Sequence, residues 1–418
     1  SAVGFDVSLD VDLAAVLDDA SHVFVKFLTG APGYVGTEYN AEATMKFLTN
    51  LVPIENLSGT DELSLLLGAY ETIQITVTYG TGVEMLADSQ FAISDVLRGS
   101  PHADTIDGAL GSDTISGFGG ADSLLGGAGN DKISGGKHHD TIDGGAGDDI
   151  ITGNLGKDSL VGGSGDDTIR GGAWHDSVFG GKGEDSLFGN AGNDLILGEA
   201  GDDFVFGGKG DDTLNGGEGE NLVFGGTGND LIYVDGTFDT VNGGAGIDTV
   251  SLENFNSAVT VWTQHGIVEA GLGQIELTNV EIIETTRFSD RVSLSEGAGR
   301  VLTHQGDDTL EVWDSVSAVA ELGAGNDSVF AFAGDNNIIS SGDGEDEFFI
   351  FNGFNTYFGD SGDDTLLLLS PRGSIIGYSS GDGHDVLSGF SIDRDNLLVD
   401  VSLQSSMTVE ETRDGTVV

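Results

Sequence analysis

Several residue types are absent or scarce in this chain of 418 residues. There is no cysteine, which excludes disulfide scaffolds and thiolate sites for zinc or iron–sulfur clusters. Lysine and arginine number only 15 against 70 aspartates and glutamates, so the formal net charge is −55. So acidic a protein repels itself unless cations are bound, and we expect it to avoid nucleic acid and anionic membranes. No apolar run approaches the roughly 18–20 residues of a membrane span.

Glycine, in contrast, is abundant, with 69 residues, and much of it recurs at a fixed period. Residues 99–251 divide into seventeen consecutive nonapeptides without an insertion, numbered here as repeats 1 to 17. The eighth position is always aliphatic, from Ile106 to Val250. The sixth position is Asp104, Asp113, Asp122, Asp131, Asp140, Asp149, Asp158, Asp167, Asp176, Asp185, Asp194, Asp203, Asp212, Asn221, Asp230, Asp239 and Asp248.

The nonapeptide predicts one short strand and one turn. GGxGxD places glycine where a turn needs positive φ, and it presents carbonyls beside a carboxylate. The remaining three residues suffice for a strand with one inward side chain. Two repeats then make one coil of eighteen residues, with parallel strands about 4.8 Å apart. Odd-numbered turns lie on one edge and even-numbered turns on the other, and each edge carries a column of aspartates suited to calcium.

The repeats GGAGNDKIS (126–134), GGAGDDIIT (144–152) and GGKGDDTLN (207–215) resemble the calcium-binding nonapeptides of the RTX (hemolysin-type) family. The resemblance implies a parallel β-roll with calcium between neighbouring turns, export by type I secretion, and folding outside the cell. It also implies that carbonyls of the turn glycines join the sixth-position side chains as ligands. Those glycines include Gly127, Gly129, Gly145, Gly147, Gly163, Gly165, Gly181 and Gly183. Asn221 departs from the pattern, so we expect its site to be weaker.

The rest of the chain is less regular. Residues 252–302 resemble the β spacer between RTX blocks, 303–388 an irregular second roll, and 389–418 a cap with a secretion tail. Residues 1–98 lack the nine-residue register and predict a β-rich domain or cap, with strands in 5–13 and 71–79 and a short helix after Asn40. The fold class is therefore all-β. The second roll keeps the register at Asp308, Asp327, Asp346, Asp364 and Asp385, but with fewer glycines we expect fewer calcium sites.

No catalytic constellation is convincing. GYSSG (377–381) matches the G-x-S-x-G nucleophile elbow, which needs a strand, a turn and a helix. Here it leads directly into the repeat SGDGHDVLS, where no helix is expected, and Asp385 already belongs to the calcium register. The sequence has neither H-E-x-x-H nor a P-loop. We therefore expect a protein that is not an enzyme.

Three odd-numbered repeats replace the fourth-position glycine, with His102, His138 and Trp174, and two have histidine at position five, His139 and His175. Turns two coils apart are about 10 Å apart, too far for one transition-metal site. Bulky residues in a left-handed conformation instead predict altered calcium turns on the odd edge. The even edge keeps glycine there from Gly111 to Gly219 and should hold calcium better.

The outward ninth position becomes apolar in the second half of the regular repeats. Phe188, Phe206 and Phe224 are expected on one face, and Phe179, Leu197 and Tyr233 on the other. Such a surface needs a cover, supplied by residues 1–98, residues 252–418 or another subunit.

Three functions fit these features. A secreted, calcium-folded structural protein of a surface layer, filament, matrix or adhesin is favoured, with self-association through the apolar face. The alternatives are the calcium-binding export module of a secreted hydrolase, and a carbohydrate-binding adhesin.

Overall fold

Every regular element in the described part of the chain is a β-strand. The computed structural model describes residues 94–236, 238–295, 299–314, 317–369, 373–378, 383–390 and 394–399, and the backbone of strands within 6–9, 20–26, 62–68, 74–78, 84–86 and 416–417. The predicted helix after Asn40, Ser379 of the G-x-S-x-G motif, and residues 400–415 of the predicted tail lie outside these ranges. No helix among the described residues is long and apolar enough to cross a membrane. The all-β fold class is confirmed.

The chain divides into two units, residues 1–213 and 214–418. The strands of the first unit are β1 (Asp6–Leu9), β2 (Ala20–Lys26), β3 (Glu62–Gly68), β4 (Gln74–Thr78), β5 (Glu84–Leu86), β6 (Val96–Arg98), β7 (Thr105–Asp107), β8 (Thr114–Ser116), β9 (Ser123–Ala128), β10 (Lys132–Lys137), β11 (Thr141–Ala146), β12 (Ile150–Leu155), β13 (Ser159–Ser164), β14 (Thr168–Ala173), β15 (Ser177–Lys182), β16 (Ser186–Ala191), β17 (Leu195–Ala200) and β18 (Phe204–Lys209). Strand β19 (Thr213–Asn215) contains the division.

The first unit is a parallel β-roll. Strands β4, β6 and the following even-numbered strands to β18 form one parallel sheet. Strands β5, β7 and the following odd-numbered strands to β17 form the other. Partners are eighteen residues apart, as in Ile133↔Ile151, which confirms two repeats per coil. Strands β1 and β2 add antiparallel to β4 and β5, so the N-terminal segment extends both sheets.

The full strands are longer than the sequence predicts, because six residues are extended instead of three. Strand β11 runs from the seventh position of one repeat to the third position of the next, and both Ile142 and Gly144 face inward. Glycine has no side chain, so this second inward position leaves no apolar signal in the sequence. The eighth-position side chains from Leu97 to Val205 fill the interior and are at most 3% exposed.

The second unit has the same construction. Its strands are β20 (Leu222–Thr227), β21 (Leu231–Tyr233), β22 (Thr240–Ala245), β23 (Thr249–Ser251), β24 (Val259–Trp262), β25 (Ile267–Ala270), β26 (Gly273–Thr278), β27 (Ile282–Glu284), β28 (Arg291–Leu294), β29 (Arg300–Leu302), β30 (Thr309–Val312), β31 (Val319–Glu321), β32 (Ser328–Ala331), β33 (Ile338–Ser340), β34 (Glu347–Ile350), β35 (Thr356–Phe358), β36 (Thr365–Leu368), β37 (Ile375–Tyr378), β38 (Val386–Ser388), β39 (Asn396–Val399) and β40 (Thr416–Val417).

The spacer at 252–302 does not interrupt this roll. Strand β27 pairs in parallel with β23 before it and β29 after it. In the other sheet β24, β25 and β26 form an antiparallel meander, and the outer two strands pair in parallel with β28 and β22. Farther on, the core accommodates larger side chains, and the buried rings of Phe348 and Tyr357 meet edge to face at 5.9 Å.

The first-position glycine gives a direct test of this packing. We expect Gly144→Ala to destabilise the calcium-loaded protein by about 1–3 kcal/mol, because a Cβ there would collide with Asp149 Oδ2 and the carbonyl of Gly162. Gly119→Ala is the control, because its Cβ would meet only Lys137 Cβ at 3.8 Å. Thermal unfolding followed by circular dichroism measures both; equal effects would contradict the assigned close contact.

Candidate metal centre

The sixth-position aspartates form two hydrogen-bonded columns, one on each edge of the first unit. The backbone N–H of Asp131 donates to Oδ1 of Asp149 at 2.7 Å, and that of Asp149 donates to Oδ1 of Asp167 at 2.7 Å. The same bond links Asp104 to Asp122 on the odd edge and continues, coil by coil, to Asp212. Each Oδ1 therefore fixes its side chain against the preceding coil. These aspartates are at most 3% exposed.

The second carboxylate oxygen, Oδ2, is buried without a hydrogen bond along most of both columns. The residues concerned are Asp113, Asp122, Asp131, Asp140, Asp149, Asp158, Asp167, Asp176, Asp185, Asp194, Asp248, Asp308, Asp327, Asp346 and Asp364. Each such oxygen beside a first-position glycine occupies a space that a Cβ would fill, as Asp149 Oδ2 does at Gly144. Buried anionic oxygens without a donor are costly, so the columns need positive charge.

Burial raises the pKa of these carboxyl groups well above their usual value. For Asp149 the pKa rises to about 7, chiefly by desolvation; the hydrogen bond from Asp131 opposes the shift and the negative charge of Asp131 adds to it. Other raised values are about 6 for Asp122, Asp185 and Asp239, about 7 for Asp113, Asp140, Asp167, Asp176, Asp203, Asp327 and Asp364, and about 8 for Asp308. Because of these raised pKa values, many of the column carboxyl groups are partly protonated near neutral pH when no cation is bound.

The donor set fits calcium. Beside Gly144 the carboxylate oxygen of Asp149 and the carbonyl of Gly162 lie together, and such oxygen ligands are the ones that a hard divalent cation prefers. All eight turn glycines singled out from the sequence, Gly127, Gly129, Gly145, Gly147, Gly163, Gly165, Gly181 and Gly183, have positive φ, between 103° and 132°. Their conformation is as predicted, whereas their carbonyls as ligands stay a prediction. Bound calcium would supply the charge that the columns lack.

Asn221 shows what replaces the cation when the charge is absent. Its N–H still donates to Oδ1 of Asp239, at 2.8 Å, so it keeps its place in the column. Its side-chain Nδ2 donates to the carbonyl of Gly217 at 3.1 Å. The amide nitrogen thus donates a hydrogen bond to the Gly217 carbonyl. A carboxylate at the same position would repel that carbonyl oxygen unless a cation lay between them. This contact gives the physical reason for the weaker site expected at Asn221.

In the second roll the charged register lies on one edge only. Asp308, Asp327, Asp346, Asp364 and Asp385 follow one another through the same backbone-to-Oδ1 bond. The opposite edge carries neutral residues instead: Asn337 donates to Oδ1 of Asn355 through both its N–H and its Nδ2, and Asn355 Nδ2 donates to the carbonyl of Gly334. Calcium would therefore offset charge on one edge of these coils, and the smaller number of sites expected from the sequence stays a prediction.

Two column residues, Asp95 and Asp290, were missed by the sequence analysis. The N–H of Asp95 donates to Asp113 and that of Asp290 to Asp308, each eighteen residues onward. At Asp290 both carboxylate oxygens accept from Thr286. The glycines of the repeat are missing before both residues, and the remaining signal was an aspartate two residues before an inward aliphatic side chain.

The substituted turns keep the column but not the backbone angle of the glycine they replace. His138 and Trp174 have φ of 78° and 89°, whereas the glycines at this position of the other odd-numbered repeats have φ between 118° and 153°. The aspartate column still passes through both repeats. The altered calcium geometry expected on the odd edge stays a prediction. His139 and His175 are structural, because each Nδ1 accepts the backbone N–H eighteen residues later, from Lys157 and Asn193.

Comparison with known families agrees with this register. The family model described as RTX calcium-binding nonapeptide repeat matches residues 94–115, 116–151, 152–187, 179–214, 197–232, 215–250 and 319–348. The first match begins before Gly99 and includes Asp95, as the column does. No curated protein matches the chain significantly.

Acidification separates the calcium-free from the calcium-loaded protein. Carboxyl groups whose folded pKa is raised bind more protons when folded, so without calcium the free energy of unfolding should rise as pH falls from 8 toward 4. With saturating calcium it should fall instead, because protons compete with the metal. Thermal unfolding should be measured in 1 M salt, where the Debye length is about 3 Å. Repulsion between exposed charges is then screened and cannot cause the difference in stability between the two pH values. A calcium-free protein more stable at pH 8 than at pH 5 would contradict the assignment.

The Asn221 contact suggests a matched pair of variants at one turn. Asp149→Asn should stabilise the calcium-free protein by about 1–3 kcal/mol, because the amide can donate where the carboxylate could not, and should reduce the stabilisation gained from calcium. Asp148→Asn, one residue earlier and exposed, is the control; it keeps an oxygen for the N–H of Asp166 and should change both quantities much less. Calcium titration with thermal unfolding measures both effects, and identical behaviour of the two variants would count against the buried column as the binding site.

Proposed function

This chain is a calcium-binding protein of the RTX type, and on that premise we propose that it is a secreted, non-enzymatic protein that folds on extracellular calcium and builds a cell-surface or extracellular assembly. The observation that carries the proposal is the pair of buried aspartate columns with their raised pKa values. Folding would be opposed where calcium is scarce and favoured outside, where calcium-binding modules work at about 10⁻⁴–10⁻³ M.

The ninth-position side chains of the first unit support association. Phe188 lies beside Phe206 on adjacent strands, and its ring is 5.6 Å from that of Phe204. Phe179 lies beside Leu197 in the other sheet. All are half-buried, so the predicted apolar rows are present on both faces of this unit. Phe224 and Tyr233 occupy ninth positions of the second unit and are also half-buried.

A second apolar surface, the aromatic face, lies on one sheet of the second unit and comprises Trp313, Phe330, Phe332, Phe349 and Phe351. The ring of Phe332 stacks on Trp313 at 4.3 Å and on Phe351 at 5.0 Å. Phe330 stacks on Phe349 at 5.0 Å. Trp313 is 46% and Phe351 36% exposed, which is costly for aromatic rings in water. We assign this face to contact with a second copy of the chain.

The aromatic face also favours one alternative, a carbohydrate-binding adhesin. Parallel rings about 5 Å apart present flat apolar surface flanked by acidic groups such as Glu347, a combination suited to sugar rings with their apolar faces and hydroxyl edges. Both functions use the same residues, so the same variants test both. The measured property, polymer formation or glycan binding, separates the two functions.

Calcium titration of the purified protein tests the proposal. At pH 8, chelation should greatly reduce the strand signal in circular dichroism, and calcium should restore it together with ordered polymers in electron microscopy. The double variant Phe332→Ser with Phe351→Ser should still fold with calcium but form no polymers. Leu272 is fully exposed and lies outside the aromatic face, so Leu272→Ser should fold and form polymers as the parent does. An unchanged strand signal after chelation refutes calcium folding, monomers at every calcium concentration refute the assembly, and glycan binding lost only in the double variant favours the adhesin.

A further inference from the structure

We propose that Glu253, Glu284 and His304 form a separate site for a transition-metal dication, with Zn²⁺ as the expected ion. Their ligand atoms all lie within 4.8 Å of one another. His304 Nε2 is 3.2 Å from Glu253 Oε1. The site is distinct from the calcium columns, because it lies at the spacer and includes an imidazole nitrogen.

The fold brings these residues together from three successive coils of the second unit. Strand β27 lies between β23 and β29, with Glu284 opposite Ser251 and Leu302. Glu253 and His304 each follow those partners by two residues, where the chain leaves the sheet. The three side chains thus converge at one end of three neighbouring strands, and a shared ion would connect the coils on both sides of the spacer.

One feature of His304 points to a ligand, and a second makes the residue suitable for a test. Its Nε2 is shielded from solvent, yet it makes no hydrogen bond. Its backbone is left-handed, with φ of 67°, at a turn position where the following coils have glycine, Gly323 and Gly342, with φ of 101° and 100°. Glycine adopts such a conformation without strain, so His304 can be replaced by glycine without disturbing the turn.

The charge balance points the same way. Among the described residues the ion pairs are Arg291–Glu311, Arg300–Glu321 and His304–Glu253, so Glu284 has no lysine or arginine at ion-pairing distance. The two carboxylates outweigh the single imidazole in charge, and a dication would neutralise the excess.

The ligand set selects the class of metal. One imidazole with two carboxylates, leaving the fourth position to water, is a donor set that zinc accepts, whereas calcium favours oxygen ligands alone. Ligands about 2.1 Å from a tetrahedral ion are roughly 3.4 Å apart, so the His304–Glu253 pair already has the required spacing. The ligand atom of Glu284 lies within 4.8 Å of the other two and is the third ligand of the set.

Zinc titration of the full chain in saturating calcium tests the site, because excess calcium occupies the aspartate columns. Isothermal calorimetry should show one zinc ion per chain, and zinc should raise the thermal midpoint. His304→Gly should lower the zinc affinity by at least about tenfold. Glycine also relieves the left-handed backbone, so this variant should fold at least as well as the parent. Glu284→Gln should weaken binding in the same way.

His265→Gln, which removes another histidine of the second unit, is the matched control and should bind zinc as the parent does. Atomic absorption after dialysis measures the number of zinc ions per chain. Co²⁺ in place of zinc gives a visible spectrum, which should disappear in His304→Gly. Absence of zinc binding in saturating calcium, or equal binding by the parent and His304→Gly, would overturn the proposal. Neither result would affect calcium folding, which uses other residues.

Discussion

The structure depends on one unfavourable interaction, the stacking of buried aspartates above one another along the regular repeats. Hydrogen bonding through Oδ1 sets the register, since each backbone N–H of the column finds its acceptor in the next coil. The same bond places Oδ2 where no donor reaches it. The same side chain therefore aligns the coils and destabilises them, and a bound cation would offset its charge.

Where the cation is not used, the chain replaces it by a hydrogen-bond donor. Asn221 and Asn355 donate through their amides to a glycine carbonyl, and Asp290 receives the N–H and hydroxyl of Thr286. These replacements occur in the second unit, so the number of aspartates alone does not give the metal requirement. Each edge has to be assessed by whether its column is charged or neutral.

Much of the fold could be predicted from the sequence, because the period of nine fixes the coil and the eighth residue marks its interior. Strand length was underestimated, since the second inward position is occupied by Gly144 and its equivalents, which leave no hydrophobic pattern. The zinc site could not be foreseen, because Glu253, Glu284 and His304 come from a stretch where the period breaks. At Trp174 the sequence predicts an altered turn, and the structure adds that the N–H of Trp174 still bonds to the carbonyl of Ala191 in the next coil although its φ is 89°.

The neutral edge of the second roll has a consequence for the order in which the protein acquires structure. Neighbouring coils in a solenoid stabilise one another by contact, so folding spreads from whichever coils form first. Coils containing Asn337 and Asn355 need metal on one side alone and keep an interior with Phe348 and Tyr357. As calcium rises these coils are expected to form at the lowest concentrations and to act as a template for the rest of the second unit.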